Sequence, residues 1–236
     1  MTPVVLPLTY NHLIQSFIYK MFSNVLPEIH EVAPECRGRK YRPFVFSRLF
    51  GQSFRIIRQS IRFEPPVFFF FASPDDVLME VLANELINSE SIRLGNNTLR
   101  FAKVSSYKTQ AGIPECVVKT LSPITIHSTF STPEGKKKTY YYNPREKDFS
   151  EQLRSNMLRK LVSLSPNTPM THLDGFSVEA VRNIKERIIT YKGFVIRAWD
   201  GVFKLSGDST WISCAFDWGL GARNAQGFGM VDQVGR

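Results

Sequence analysis

The sequence has no apolar run long enough to cross a membrane. The longest, Val67 to Ala72, is six residues, against the ~20 a spanning helix needs. Cysteine is scarce: Cys36, Cys116 and Cys214 are an odd number and no two lie close together. That excludes a disulfide framework and a zinc ribbon, and fits a reducing compartment, the cytoplasm. No His/Cys/carboxylate spacing matches a metal site, since His30-Glu31 does not open an H-E-x-x-H motif. No metal or cofactor is expected. The start, MTPVVLPLTYNH, lacks a basic n-region and holds two prolines, so it does not read as a signal peptide. The most telling absence is of acid: Cys36 to Phe63 contains not one Asp or Glu.

What fills that span is positive. Arg37, Arg39, Lys40, Arg42, Arg48, Arg55, Arg58 and Arg62 give it +8, almost the whole surplus of 30 − 21 = +9. Tyr41, Phe44, Phe46, Phe50 and Phe54 are interleaved with them. Arginine pairs with phosphate bidentately and stacks on bases, and aromatic rings offer stacking faces. A solvated face normally mixes charge signs, so this stretch points to nucleic acid. A second cluster, Lys136, Lys137 and Lys138, precedes Tyr140-Tyr141-Tyr142 and Arg145. It fits a phosphate contact and a lysine-protected edge hairpin equally well. With 236 residues and 43% hydrophobic content, the chain is long enough for one large domain or two small ones, and too apolar for disorder.

Periodicity predicts a helix over residues 12–25 and a buried strand over Val67 to Phe71. Ser73-Pro74-Asp75-Asp76 predicts a helix start with Ser73 as N-cap, and Thr98 to Ser105 a strand. In the second half, Val117 to Ile126 and Lys138 to Tyr142 read as strands and Glu146 to Leu164 as a helix, with Phe149, Leu153, Leu158, Leu161 and Val162 as its apolar residues. Tyr191 to Phe203 reads as one or two strands, Thr210 to Trp218 as a short helix and Phe228 to Val234 as a last strand. Two successive units of strands with two helices each predict an α+β fold of two tandem ferredoxin-like (βαββαβ) domains, 1–112 and 113–236, with the seam near Gln110–Pro114. Pro3 and Pro7 interrupt the few residues before the first helix. The first strand is therefore expected to be short or missing, with an N-terminal segment absent.

The most specific motif is Gly219-Leu220-Gly221, five residues, then Gly227-Phe228-Gly229. It is neither a P-loop nor a dinucleotide fingerprint. Four glycines permit positive φ and close backbone approach. Arg223, Asn224 and Gln226 between them, with the loop's N–H groups, suit phosphates.

This loop resembles the glycine-rich loop of the repeat-associated mysterious proteins, the RAMP superfamily of CRISPR systems. Within it, Tyr10-Asn11-His12 with the helix to Tyr19, Leu26 to Val32, Thr120 to Ile124 and the loop itself are similar to the CRISPR repeat-processing endoribonucleases. The resemblance implies metal-independent cleavage of CRISPR repeat RNA. The 2′-hydroxyl upstream of the cut attacks the phosphate, leaving a 2′,3′-cyclic phosphate and a 5′-hydroxyl. It further implies a catalytic set of Tyr19, His30 and a lysine, for which Lys40 is preferred and Arg42 is the alternative. Imidazole titrates near neutrality and suits proton transfer. His12, His127 and His172 are assigned no catalytic part: His12 is expected at the helix start, the other two in polar turns. Expected RNA contacts are Arg37, Arg39, Arg42, Arg55, Arg58, Lys136 to Lys138, Gly219, Gly221, Arg223, Asn224, Gln226, Gly227 and Gly229.

A second reading, a non-catalytic RAMP subunit holding guide RNA among other CRISPR effector subunits, shares the charge and the loop but has no need of Tyr19 and His30. A membrane-surface role leaves the glycine loop unexplained and shows no long basic amphipathic helix. Monomer and homodimer both remain open.

Overall fold

Alternation sets the first strand. Val4 and Leu6 are buried while Val5 and Pro7 face outward, and Val4–Pro7 forms β1. The stripe Ile14, Phe17, Ile18, Met21 and Phe22 then makes Asn11–Ser23 the first helix, α1. The computed structural model describes residues 2–26, 33–36, 38–100, 103–107, 113–164 and 175–235. The basic stretch is cut into short strands, β2 (Glu35–Cys36), β3 (Arg39–Lys40) and β4 (Val45–Phe46). It continues as the hairpin of β5 (Ser53–Ile57) and β6 (Ser60–Glu64). Then come β7 (Phe71–Ala72), helix α2 (Asp76–Ile87) and the small hairpin of β8 (Ile92–Leu94) and β9 (Asn97–Leu99). The second half runs β10 (Glu115–Thr120), the hairpin of β11 (His127–Ser131) and β12 (Lys137–Tyr141), and helix α3 (Lys147–Leu164). A long hairpin of β13 (Ser177–Tyr191) and β14 (Phe194–Ser206), helix α4 (Ser209–Trp218) and strand β15 (Val231–Gln233) complete it. Among the described residues no helix is long and apolar enough to cross a membrane.

The fold is mixed α/β with antiparallel sheets. In the first half the order is β1-β6-β5, and in the second β13-β14-β10-β15. The expectation of a short first strand holds, and the strand is not missing: β1 is four residues, paired with β6 from Val4↔Phe63 to Pro7↔Ser60. On its other side the Asn97 carboxamide stands in for a neighbouring strand. Its Oδ1 accepts from Val5 N at 3.1 Å and its Nδ2 donates to Val5 O at 2.9 Å.

Two cores result. One gathers Val4, Leu6, α1, Phe44, Phe46 and Phe63 with Leu78 and Leu82 of α2. The other joins Val118, Phe149, Leu153, Met157, Phe203, Trp211 and Trp218. Each borrows a side chain from the other half: Ala225 packs in the first and Tyr41 against the second. A seam of Val45, Leu121 and Met230 seals the halves. Buried Asp200 is held there by Arg48 at 2.7 Å, Arg187 at 2.6 Å and the Thr120 hydroxyl at 3.2 Å, the compensation a buried carboxylate requires.

Several predicted elements differ. Val67 to Phe71 is not a buried strand: only Phe71 enters β7, and Phe68, 49% exposed, makes a single bridge to Phe50. Consecutive phenylalanines pair with one another here, Phe68 with Phe50 and Phe70, so apolar density comes from aromatic contact rather than from a ladder. The cap of α2 is Asp75, whose carboxylate accepts from Val77 N; Ser73 instead donates to Pro43 O and accepts from Asp75 N. The strand expected over Thr98 to Ser105 is Asn97–Leu99. Residues 177–190 carry too many charges to alternate, yet they form most of β13, which is bulged near Arg182. The buried face of α3 is Phe149, Leu153, Asn156, Met157 and Lys160. Leu158, Leu161 and Val162 lie at its half-buried flank.

Candidate active site

The glycine loop follows from a helix that stops. Gly219, φ 76°, ends α4, and the chain turns through a 3-10 turn at Asn224–Gln226 before β15. The four glycines are required by contact with protein. A Cβ at Gly229 would sit 1.9 Å from Leu220 O, at Gly221 2.4 Å from Thr125 O, at Gly227 2.6 Å from the Phe46 ring and at Gly219 2.8 Å from Val45. Protein packing therefore accounts for the glycines. The N–H groups of Leu220, Ala222, Gln226, Gly227 and Gly229 donate to carbonyls of Gly229, Thr125, Arg223, Asn224 and Pro123. Asn224, buried, donates to Leu220 O and Phe228 O. Of the loop, residues 221–226 line a surface cleft.

That surface is a cleft of about 480 Å³ between the halves. One wall is Gln15 and Tyr19 of α1 with Lys40, Tyr41 and Arg42; the other is Asn156 and Lys160 of α3, Trp218 and the loop from Gly221 to Gln226. Helical spacing puts Gln15 and Tyr19 on one face, four residues apart. Gln15 bridges the halves, donating to Ala225 O at 2.6 Å and accepting from the Tyr191 hydroxyl. Asn11 adds bonds to the carbonyls of Gln226 and Gly227. Helix α1 is thereby fixed to the loop.

Tyr19 packs edge-on to Phe44 at 5.6 Å. Burial raises its pKa, while the charge of Arg42 and a hydrogen bond from it pull the other way. Net, the phenol stays protonated near neutral pH and is a donor, not a base. Burial pushes Tyr191 up to about 12. Arg223, in the left-handed region at φ 62°, donates from Nη1 to Gln226 Oε1 at 3.1 Å.

The structure therefore brings together Tyr19, Lys40, Arg42, Gly221, Arg223, Asn224 and Gln226. His30 and Arg37, like His172, lie outside the described residues, and so does the Arg39 side chain. Arg55 is exposed on β5 and Arg58 sits in the β5–β6 turn at φ 55°. Lys136 closes the β11–β12 hairpin through Thr132, with Lys137 and Lys138 exposed on β12. None of these lines the cleft. His12 hydrogen-bonds Thr9 O at the start of α1, as expected.

Sequence reasoning missed Gln15, Tyr41, Trp218, Asn156 and Lys160. The readable signal for the last two was a polar pair, four residues apart, on the apolar face of α3. Lys160 is 1% exposed, donates to Gly219 O at 2.7 Å and lies 6.0 Å from the Trp218 ring centre. Burial pulls its ammonium down from 10.5 to about 7. Between about pH 7 and 10 the unfolded chain thus holds a proton that the folded chain has released, so this group makes stability rise with pH. Relative to a Lys160→Met variant, the wild type should gain about 2 kcal/mol between pH 7 and 9. Urea unfolding of both proteins at the two pH values measures it; parallel pH curves would contradict the burial assignment.

The fold matches that of solved RAMP proteins. A structure described as "An RAMP protein binding different RNA substrates" superposes with a TM-score of 0.82 at 21% identity, covering 98% of this chain and 96% of that one. Another, of a Cas6-related gene from Pyrococcus furiosus, gives 0.85 at 21% identity over 99% and 93%. In sequence, the CRISPR-associated endoribonuclease Cas6 1 of Methanocaldococcus jannaschii is 27% identical over 234 residues, 95% of this chain and 87% of that protein. The family model "CRISPR associated protein Cas6, C-terminal" matches residues 107–233, more than half of the chain. The chain belongs to the Cas6 family.

Proposed function

We propose that the protein is an endoribonuclease that cuts precursor CRISPR RNA within the repeat, without a metal. The observation that carries this is the cleft. It sets a protonated tyrosine beside Arg42 and Lys40 on one wall and Arg223 on the other, and the relatives that share nearly its whole length are named as Cas6 endoribonucleases. In this reading the halves 1–112 and 113–236 are tandem ferredoxin-like domains. The order β13-β14-β10-β15, with α3 and α4 as crossovers, supports it for the second half. The Asn97–β1 contact supports a reduced fourth strand in the first.

The reaction needs a base for the 2′-hydroxyl, an acid for the departing 5′-oxygen and cations for the charge developing on phosphorus. The 2′-oxygen bonds to phosphorus, the bond from phosphorus to the 5′-oxygen breaks, and that oxygen takes a proton. Products are a 2′,3′-cyclic phosphate and a 5′-hydroxyl. Lys40 and Arg42 stabilise the phosphorane, Tyr19 orients it by donation, and His30 moves the protons. Arg37, Arg39, Arg55 and Arg58, with Lys136 to Lys138, hold flanking phosphates.

The test is cleavage of end-labelled host repeat RNA in EDTA, beside a substrate carrying a 2′-deoxy nucleotide just upstream of the cut. One cut, ending in a cyclic phosphate and lost in the deoxy substrate, is expected. Tight binding without a cut would establish the guide-holding role instead.

A further inference from the structure

Asn156 stands where an amphipathic helix should present an aliphatic side chain. It lies between Leu153 and Met157 on the buried face of α3 and is 5% exposed. Its Oδ1 is buried and accepts no hydrogen bond among the described residues. A buried acceptor left unpaired destabilises the fold, whereas an apolar residue of similar shape would not. Yet Asn156 lines the cleft, so a ligand there can supply what the fold does not.

The surroundings say what kind of ligand. On the same face, one turn on, Lys160 also lines the cleft. On the same wall the Arg223 Nε is a buried donor with no partner among the described residues. The site thus holds an unpaired acceptor and an unpaired donor, flanked by Lys40 and Arg42. Its volume of about 480 Å³ falls in the ~300–1,000 Å³ range of ligand sites. A nucleotide presents that combination: anionic phosphate, with donors and acceptors on base and ribose.

We propose that Asn156 is a specificity-determining residue, its carboxamide oxygen accepting a hydrogen bond from a donor on one nucleotide of the bound RNA, a base amino group or a ribose 2′-hydroxyl. The proposal rests on the RNA-cleaving reading above, and it adds recognition by the second half of the chain.

The experiment is a double-mutant cycle on host repeat RNA. Wild type and Asn156→Leu are titrated with repeats in which each base amino group in turn is deleted (inosine for guanosine, purine riboside for adenosine, zebularine for cytidine) and with repeats 2′-deoxy at each position. Leucine matches the shape of asparagine and leaves no orphan acceptor, so the variant should melt no lower than wild type. It should bind the natural repeat roughly tenfold more weakly. One substituted RNA should lose about the same factor with wild type and nothing further with the variant. A base analogue doing so identifies an amino group, a deoxy position a ribose hydroxyl. Should Asn156→Leu melt lower, Asn156→Ser repeats the cycle in a smaller side chain that still fits. Equal losses in wild type and variant for every substituted RNA overturn the role of Asn156 while leaving the nuclease reading intact. Wild type that neither binds nor cuts the natural repeat overturns both.

Discussion

His30→Ala should lower the single-turnover cleavage rate by about 10²–10⁴ and leave RNA affinity nearly unchanged. The reason is elimination within the cleft. Tyr19 is held protonated by burial, so it has a proton to give but none to take near neutral pH. Arg42 and Lys40 are assigned to charge stabilisation, not to proton transfer. Lys160, brought to about 7, has its Nζ turned to Gly219 O. The proposed transesterification still needs a proton acceptor, and His30 is assigned that part because imidazoles as a class titrate near neutrality. The wild-type pH–rate profile should accordingly bend near neutrality, and the bend should vanish in His30→Ala. A variant cleaving as fast as wild type would remove His30 from the reaction and turn attention to Lys160.

How much of this was legible in the sequence depended on whether a residue's part was local. Helix α1 was readable because its stripe repeats every three to four residues, and Tyr19 sits on that same helix. The hairpin tipped by Lys136 was readable from Pro133, Gly135 and the lysines. The glycine motif was readable as a motif but not in its purpose: positive φ at Gly219, Gly221, Gly227 and Gly229 suggested a ligand's approach, and what approaches is the protein itself. Only tertiary contact shows that, because Thr125, Phe46 and Val45 are distant in sequence. Strand β13 was hidden for another reason. Its inward residues are few, and Ile188 is 71% exposed, so period two never emerges from Glu179, Arg182, Lys185 and Arg187. Asn156 and Lys160 were missed because a polar residue inside a helix is ordinarily taken to face water. Both face inward, to a cleft whose opposite wall is more than a hundred residues away in the chain.

Gly229→Ala should destabilise the protein by about 2–5 kcal/mol and abolish cleavage at assay temperature. Two terms add. Holding alanine in the left-handed region, at φ 80°, costs roughly 1–2 kcal/mol. Its Cβ would also lie 1.9 Å from Leu220 O and 2.8 Å from Asn224 Nδ2, and relieving overlap against backbone costs typically ~1–3 kcal/mol. The relief cannot stay local, since Leu220 N donates to Gly229 O and Asn224 ties Leu220 to Phe228. Moving Leu220 moves Gly219 O off Lys160 and shifts Gly221 to Gln226, one wall of the cleft. Gly193→Ala separates the two terms: φ is 84° there too, but nothing lies within 4 Å of an added Cβ. It should lose only the conformational part, about 1–2 kcal/mol, and keep full cleavage. Urea midpoints and single-turnover rates of the two variants, side by side, decide the matter. If both lose equally, the glycines serve backbone conformation alone and the close threading of the loop between the halves is not what holds the cleft in shape.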